Sequence, residues 1–291
     1  MPTPVIVSFE FFPPADDAAA RQLSQALLRL APLQPAFISV THGADGSCRT
    51  RTLECVRRIM RETDLHVAPH ITCIGVRRSE VLELAAEYWR AGVRRLIALR
   101  GDAPAICGAP QSADFEYAAD LVKALAGAQR FDLTVAAYPE GHPESGTIDA
   151  DIENLKRKID AGAHRAISQF FFDTDVFLRY RDRCRRAGIG IPIVPGILPI
   201  ARFAQVLRFA ARCGAAVPSW LQRRFEGLEE DPETHRLIAA HLAIEQIRRL
   251  RRHGVDEFHF YTLNRAELTY ALCHELGLRP QAGADQRRLF G

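Results

Sequence analysis

Short apolar, β-branched runs alternate along this chain with longer stretches whose apolar residues recur every three to four positions. Strands are predicted near Val5–Phe9, Ala36–Val40, Val67–Thr72, Arg94–Leu99, Leu133–Tyr138, Arg165–Phe170, Ile191–Ile197 and Glu257–Tyr261. Helices are predicted near Asp16–Leu30, Thr50–Glu62, Ser79–Ala91, Tyr117–Leu125, Ala150–Ala161, Asp173–Ala187 and Ala201–Cys213. Two more, near Trp220–Phe225 and Glu233–Arg252, precede the last strand, and Arg265–Leu276 follows it. Ser79 and Thr174 have the chemistry of helix N-caps, and Gly92, Gly162, Gly188, Gly254 and Gly277 stand where helices should stop. Strict β/α alternation implies parallel strands with right-handed crossovers. An open doubly wound sheet normally carries a glycine-rich first turn. Here that turn is Glu10-Phe-Phe-Pro-Pro14, and no G-x-G-x-x-G occurs anywhere. The expected fold is therefore a single-domain (β/α)8 TIM barrel over residues 1–280, with a frayed polar tail at 281–291.

Composition narrows the function classes. The 291 residues carry 38 basic and 35 acidic side chains, so the concentrated basic face that nucleic acid requires is not expected. No run of about 18 apolar residues exists to span a membrane. The N-terminus lacks the basic and apolar segments of a signal peptide. Seven cysteines without a C-x-x-C suit free thiols in a reducing, cytoplasmic setting, and no Cys/His spacing suggests a metal site. Arginine replaces lysine almost throughout; two of the three lysines, Lys156 and Lys158, share one segment.

In a parallel barrel the chemistry gathers at the C-terminal ends of the strands. Those positions hold Glu10, Thr41-His42-Gly43, His70, Thr72, Arg100-Gly101-Asp102, Tyr138 to His142, Gln169, Pro195-Gly196 and Asn264-Arg265. Side chains alternate between the two faces of a strand. Val5, Val7 and Phe9 therefore share the helix-facing side, and Ser8 and Glu10 face the barrel axis. Glu10 sits among phenylalanines with no evident cation nearby, surroundings that raise a carboxyl pKa towards the range of a general acid. The competing reading is a capping or salt-bridged glutamate. Arg100-Gly101-Asp102 reads equally as an ordinary turn or as a ligand-facing one. His70 taken alone reads first as a satisfied core histidine. Lys156 and Lys158, after strand five, suit either a solvated helix or a helix N-terminus that binds a pyrophosphate.

Taken together, nine segments carry a resemblance. They are Ser8-Phe-Glu-Phe-Phe-Pro-Pro14, Val40-Thr-His-Gly-Ala44, Ala68-Pro-His-Ile-Thr-Cys73, Ala98-Leu-Arg-Gly-Asp102 and Ala136-Ala-Tyr-Pro-Glu-Gly-His-Pro-Glu144. The rest are Asn154-Leu-Lys-Arg-Lys158, Gln169-Phe-Phe-Phe-Asp173, Pro195-Gly-Ile-Leu-Pro199 and Phe258-His-Phe-Tyr-Thr-Leu-Asn-Arg265. In this order the chain resembles the catalytic domain of the methylenetetrahydrofolate reductases, in their short bacterial form. The resemblance implies a barrel that binds FAD without a Rossmann fold. It also implies ping-pong transfer of hydride from NADH or NADPH to 5,10-methylenetetrahydrofolate, forming the 5-methyltetrahydrofolate used in methionine synthesis.

Carried over by motif, FAD contacts fall on Thr41, His42, Ala44, His70, Arg100, Gly101, Asp102, Tyr117, Ala118, Tyr138, His142, Asp151, Asn154 and Lys158. Substrate contacts fall on Gln169, Gln205, Phe209 and Arg265. Glu10 is implied to protonate the folate N10, and Asp102 to stabilise the resulting cation. The chain departs from the pattern at His42, where some relatives carry tyrosine, and in the Ala103–Asp114 loop, which is longer than in some relatives. Homo-oligomers are the family expectation. The alternatives are a pterin-binding methyltransferase barrel without redox chemistry and a non-catalytic scaffold. A mouth lined with so many polar groups argues against the scaffold.

Overall fold

The computed structural model describes residues 4–42, 48–101 and 114–281. Its strands are β1 (Ile6–Phe11), β2 (Phe37–Val40), β3 (Val67–Thr72), β4 (Arg95–Leu99), β5 (Asp132–Ala137), β6 (Arg165–Ser168), β7 (Ile193–Val194), β8 (Gly196–Ile197) and β9 (Glu257–Tyr261). All pairings are parallel, in the order β7-β6-β5-β4-β3-β2-β1-β9-β8. The two ends of that list, β7 and β8, are consecutive pieces of one segment, so the ring closes through it. The expected (β/α)8 barrel is what forms.

The break in the seventh strand corrects the continuous Ile191–Ile197 predicted from sequence. Pro195 has no N–H to give to a ladder. Its carbonyl instead accepts from His259 N at 3.0 Å, while β7 pairs with β6 and β8 with β9. Gly196 is needed there for space. A Cβ at this position would stand 2.2 Å from the Ser168 carbonyl oxygen and 2.5 Å from the Tyr261 ring. Gly196→Ala is expected to destabilise the protein by about 3 kcal/mol, the upper part of the overpacking range. Urea unfolding and a lower thermal midpoint would register it; an unchanged midpoint would mean that the strand break relaxes freely.

Strand parity holds as predicted. Val7, Phe9 and Phe11 are buried outward against Leu23, Leu27 and Leu30 of α1 (Asp17–Leu30). Inside the barrel, Phe37, Ala68, Ile97, Ile167 and Val194 form a small apolar floor. Below it, ion pairs join Arg95 to Asp132 and Arg165 to Glu257. Above it the interior is polar.

The remaining helices are α2 (Cys48–Glu62), α3 (Arg78–Arg90), α4 (Ala118–Ala128), α5 (Ile148–Asp160), α6 (Thr174–Arg186), α7 (Phe203–Cys213), α8 (Ser219–Phe225), α9 (Pro232–Arg252) and α10 (Glu267–Glu275). All five glycines predicted to end helices have positive φ, between 72° and 121°. The N-caps differ from prediction. Ser79 lies inside α3, where the Glu80 carboxylate accepts from Arg77 N, and Asp173 rather than Thr174 caps α6. In both cases an acidic neighbour within reach of the free N–H groups competes better than a hydroxyl already inside the first turn. Of the predicted tail only Gln281 is described; 282–291 lie outside the described residues.

Candidate active site

Glu10 lies within β1, one residue before its end, and points into the barrel mouth with its side chain 12% exposed. The adjacent strand positions are Ser39 on β2 and Tyr261 on β9. Two imidazoles flank one carboxylate oxygen: His70 Nε2 from β3 at 3.4 Å and His259 Nε2 from β9 at 3.7 Å from Oε2. These separations exceed those of a well-formed charge-assisted hydrogen bond, so the contacts are close electrostatic neighbours. Behind His259, Ser8 Oγ stands 2.8 Å from Nδ1 and 3.4 Å from the Phe258 carbonyl.

This arrangement overturns the expectation that Glu10 has no cationic partner and a raised pKa. Burial does push the carboxyl upward. The close approach and charge of the His259 and His70 imidazoles outweigh that push and hold the pKa at about 2. Phenylalanines adjacent in sequence suggested an apolar setting. Parity sends Phe9 and Phe11 away from the carboxyl, and folding supplies partners from distant strands.

Neighbouring loops tie down the end of β1. Thr262 Oγ1 donates to the Glu10 carbonyl at 2.6 Å. Asn264 clamps Phe12 from both sides: Oδ1 accepts from its N–H at 2.8 Å and Nδ2 donates to its carbonyl at 3.0 Å. That clamp requires Leu263 and Asn264 to adopt φ of 51° and 57°, the left-handed region where asparagine is the better tolerated of the two. Thr41 N donates to the Phe11 carbonyl at 3.0 Å, joining the β2 loop to the same corner. Across the mouth, the Tyr261 hydroxyl donates to the Ser168 carbonyl at 2.8 Å, next to Gln169, whose Oε1 accepts from Phe170 N.

A second group of predicted residues gathers on the far rim. Arg100 Nη2 reaches Glu144 Oε1 at 2.5 Å, and the Arg100 carbonyl accepts from Ile74 N at 2.8 Å. Gly101 has φ of 88°, and a Cβ there would come within 3.0 Å of Ile74 and 3.1 Å of Thr72. The Tyr138 and His142 rings meet edge to face at 4.8 Å. Asp151 accepts from His142 N and from Ser145 Oγ, so the first turn of α5 carries a carboxylate engaged with the β5 loop.

The two lysines part company. Lys156 lies towards solvent beside Glu153. Lys158 is buried, with Nζ donating to the Ala136 carbonyl at 2.6 Å and standing 5.8 Å from the Tyr138 ring centroid. Burial pushes its ammonium down to about 8, against the attraction of Asp151. Tyr117, half exposed, and Ala118 open α4, and Asn154 lies one turn before Lys158 on α5. The donors fit a flavin dinucleotide in kind. An aromatic face, two cations and a backbone turn that only glycine permits surround a mouth where the buried His70 Nε2 has no hydrogen-bond partner among the described residues.

Not every predicted residue joins these groups. Phe209, on α7, packs with Phe172, Tyr261 and Leu263 against a second hydrophobic cluster beside the mouth. Among the described residues, no ion pair or hydrogen bond joins Gln205 or Arg265 to Glu10. Ala44, Asp102 and the loop residues 103–113 lie outside the described residues. No group of three metal-ligating side chains occurs among the described residues. The residue missed from sequence is His259. Its signal was present in Glu257-Phe-His-Phe-Tyr261, where His259 alternates with buried phenylalanines and therefore faces the axis.

A family model described as methylenetetrahydrofolate reductase matches residues 3–277. The 5,10-methylenetetrahydrofolate reductase of Salmonella typhimurium is 50% identical over 274 residues, covering 94% of this chain and 91% of that one. The enzyme of the same name from Escherichia coli is 48% identical over the same shares of both chains. Among solved structures, a Clostridium thermocellum protein described as binding two copies of 5-methyl-5,6,7,8-tetrahydrofolic acid superposes with a TM-score of 0.66. It is 12% identical and covers 94% of this chain and 95% of that one, a likeness of fold.

Proposed function

Because the chain belongs to the methylenetetrahydrofolate reductase family, we propose that it reduces 5,10-methylenetetrahydrofolate to 5-methyltetrahydrofolate, using bound FAD and hydride from NADH or NADPH. When bound, FAD would supply a two-electron carrier, accepting hydride in one half-reaction and delivering it to the folate in the next. Lys158, Arg100, Gly101, Tyr138, His142, Asp151 and Asn154 would hold its dinucleotide portion, with Tyr117 and Ala118 at the edge. Thr41, His42 and His70 would lie beside the ring system, and Ala44 and Asp102, outside the described residues, are assigned to the cofactor by motif alone.

Gln169, Gln205, Phe209 and Arg265 would orient the folate. Glu10 would deliver a proton to N10 as the ring opens, and ionised Asp102 would stabilise the cation left at N5. Proton delivery needs an acid at the point where hydride arrives, and Glu10 is the carboxyl that β1 aims along the barrel axis. That placement, in a chain matched to the family over residues 3–277, carries the reading. The Clostridium thermocellum relative supports it in outline, since a barrel of this architecture accommodates a reduced folate.

The product would feed methionine synthesis, and a homo-oligomer is proposed as the working form. No helix among the described residues is long and apolar enough to cross a membrane. Free thiols at Cys55, Cys73, Cys184, Cys213 and Cys273 suit the cytoplasmic location proposed.

Anaerobic titration tests the reading. The purified protein should be yellow, bleach stoichiometrically with NADH or NADPH, and regain colour on addition of methylenetetrahydrofolate. A colourless protein that cannot be reconstituted with FAD overturns it and favours the methyltransferase alternative.

A further inference from the structure

The Ser8–His259 pair lies beneath Glu10, and motif matching assigns neither residue a role. All three side chains face the barrel interior. Ser8 and His259 are opposite each other in the β1–β9 register, and both are almost fully buried, at 1% and 0% exposure. A hydroxyl has one hydrogen to give, and two acceptor types lie within its reach. The Phe258 carbonyl can only accept. If Ser8 donates to it, the serine lone pair is left to receive a proton from His259 Nδ1 at 2.8 Å. With Nδ1 so committed, the other ring nitrogen, Nε2, faces the Glu10 oxygen at 3.7 Å and has no hydrogen-bond partner among the described residues.

We propose that His259, oriented by Ser8, is a positioning residue that stores the proton Glu10 delivers, so that the pair rather than Glu10 alone is the acid of the reaction. The inference rests on the folate reductase reading and deepens it. At rest the carboxyl is ionised and the imidazole carries protons on both nitrogens. When the folate occupies the mouth, the Nε2 proton passes to Glu10 Oε2 and the carboxyl gives its proton to the folate N10. An N–H bond forms as the bond between N10 and the methylene carbon breaks, the electron pair going to N10. Hydride originating from the nicotinamide then reduces the methylene carbon. His259 is left neutral and Glu10 ionised, and one proton from solvent restores the resting state.

This sequence reconciles a carboxyl whose pKa is held at about 2 with a role in proton delivery near neutrality. The groups facing Glu10 are His70 from β3 and His259 and Tyr261 from β9. Of the two histidines, His259 has a serine to fix its tautomer and the deeper burial. His70 lies nearer the surface, beside the place proposed for the flavin ring system.

The test uses the full-length holoenzyme and its variants. Nitrogen-15 NMR of the histidine rings should show both His259 nitrogens protonated at neutral pH, and Glu10→Gln should render that ring neutral. Isotope-edited infrared spectroscopy should show the Glu10 carboxyl, identified by its loss in Glu10→Gln, titrating at least one pH unit higher in His259→Asn. Folate reduction in that variant should fall about tenfold or more, with reduction by nicotinamide within about twofold of wild type. Ser8→Ala, a smaller change, should lower folate reduction in the same direction and keeps the test open if His259→Asn does not fold.

A neutral His259 ring in the wild type overturns the proposal, as does an unmoved Glu10 titration in His259→Asn. Failure of the wild type to reduce folate would sink the functional reading instead, and the spectra would still decide where the proton resides.

Discussion

Glu10→Gln is expected to slow folate reduction by about 10²-fold or more, the loss usual when a proton donor is removed, while leaving reduction by the nicotinamide almost untouched. Glutamine preserves the shape of the side chain and can accept a hydrogen bond. It cannot pass a proton to a nitrogen whose bond to carbon is breaking. In the proposed ping-pong scheme the first half-reaction would move hydride from the nicotinamide and draw on no proton from Glu10, so the two halves should separate cleanly. Rapid mixing of oxidised enzyme with NADH or NADPH, and of reduced enzyme with methylenetetrahydrofolate, measures them independently. If both were slowed alike, Glu10 would be a residue of the cofactor pocket rather than a proton donor.

The same substitution should alter the acid sensitivity of the fold. The Glu10 pKa is lowered on folding from an ordinary 4.5 to about 2. Its contribution to stability is therefore fully present above about pH 4.5 and is lost as pH falls towards 2. Glu10→Gln should remove that component.

Lys158→Met is expected to make the protein more stable at neutral pH and to weaken its grip on FAD. Burial lowers the ammonium pKa from 10.5 to about 8, a cost of roughly 3 kcal/mol relative to an exposed lysine. Losing the hydrogen bond to the Ala136 carbonyl returns about 1 kcal/mol of that, which leaves a net gain of about 2 kcal/mol for the isosteric apolar side chain.

The sign of the pH dependence follows from linkage. Between pH 8 and 10.5 the unfolded wild type binds a proton that the folded form has lost, so wild-type stability rises with pH across that window. The advantage of Lys158→Met should accordingly be largest below pH 8 and fade towards 10.5. Denaturant unfolding of both proteins at several pH values measures it. A variant that is less stable at pH 7 would show that Lys158 is a net structural asset. Unchanged FAD affinity would remove it from the cofactor site.

Much of this was legible in the sequence because it depends on local chemistry. Period-2 runs, period-3.6 runs and helix-ending glycines are set by residues within a few positions of one another, and they named the α-helices and every strand but the broken seventh to within a few residues. Parity along Val5 to Glu10 placed the carboxyl at the axis with no knowledge of its neighbours. Motif order was sufficient to place the chain among folate reductases. The N-caps were misread where an acidic side chain beside the expected hydroxyl took the role.

What the sequence by itself determined, then, is the alternation of elements, the face on which Glu10 emerges and the family. What only the tertiary structure decided is the state of that carboxyl, the division between half-buried Lys156 and buried Lys158, and the break at Pro195. The physical reason is common to all three. Ionisation, burial and strand closure depend on the groups that surround an atom in space, and β3 and β9 deliver histidines to Glu10 from parts of the chain that no local window contains.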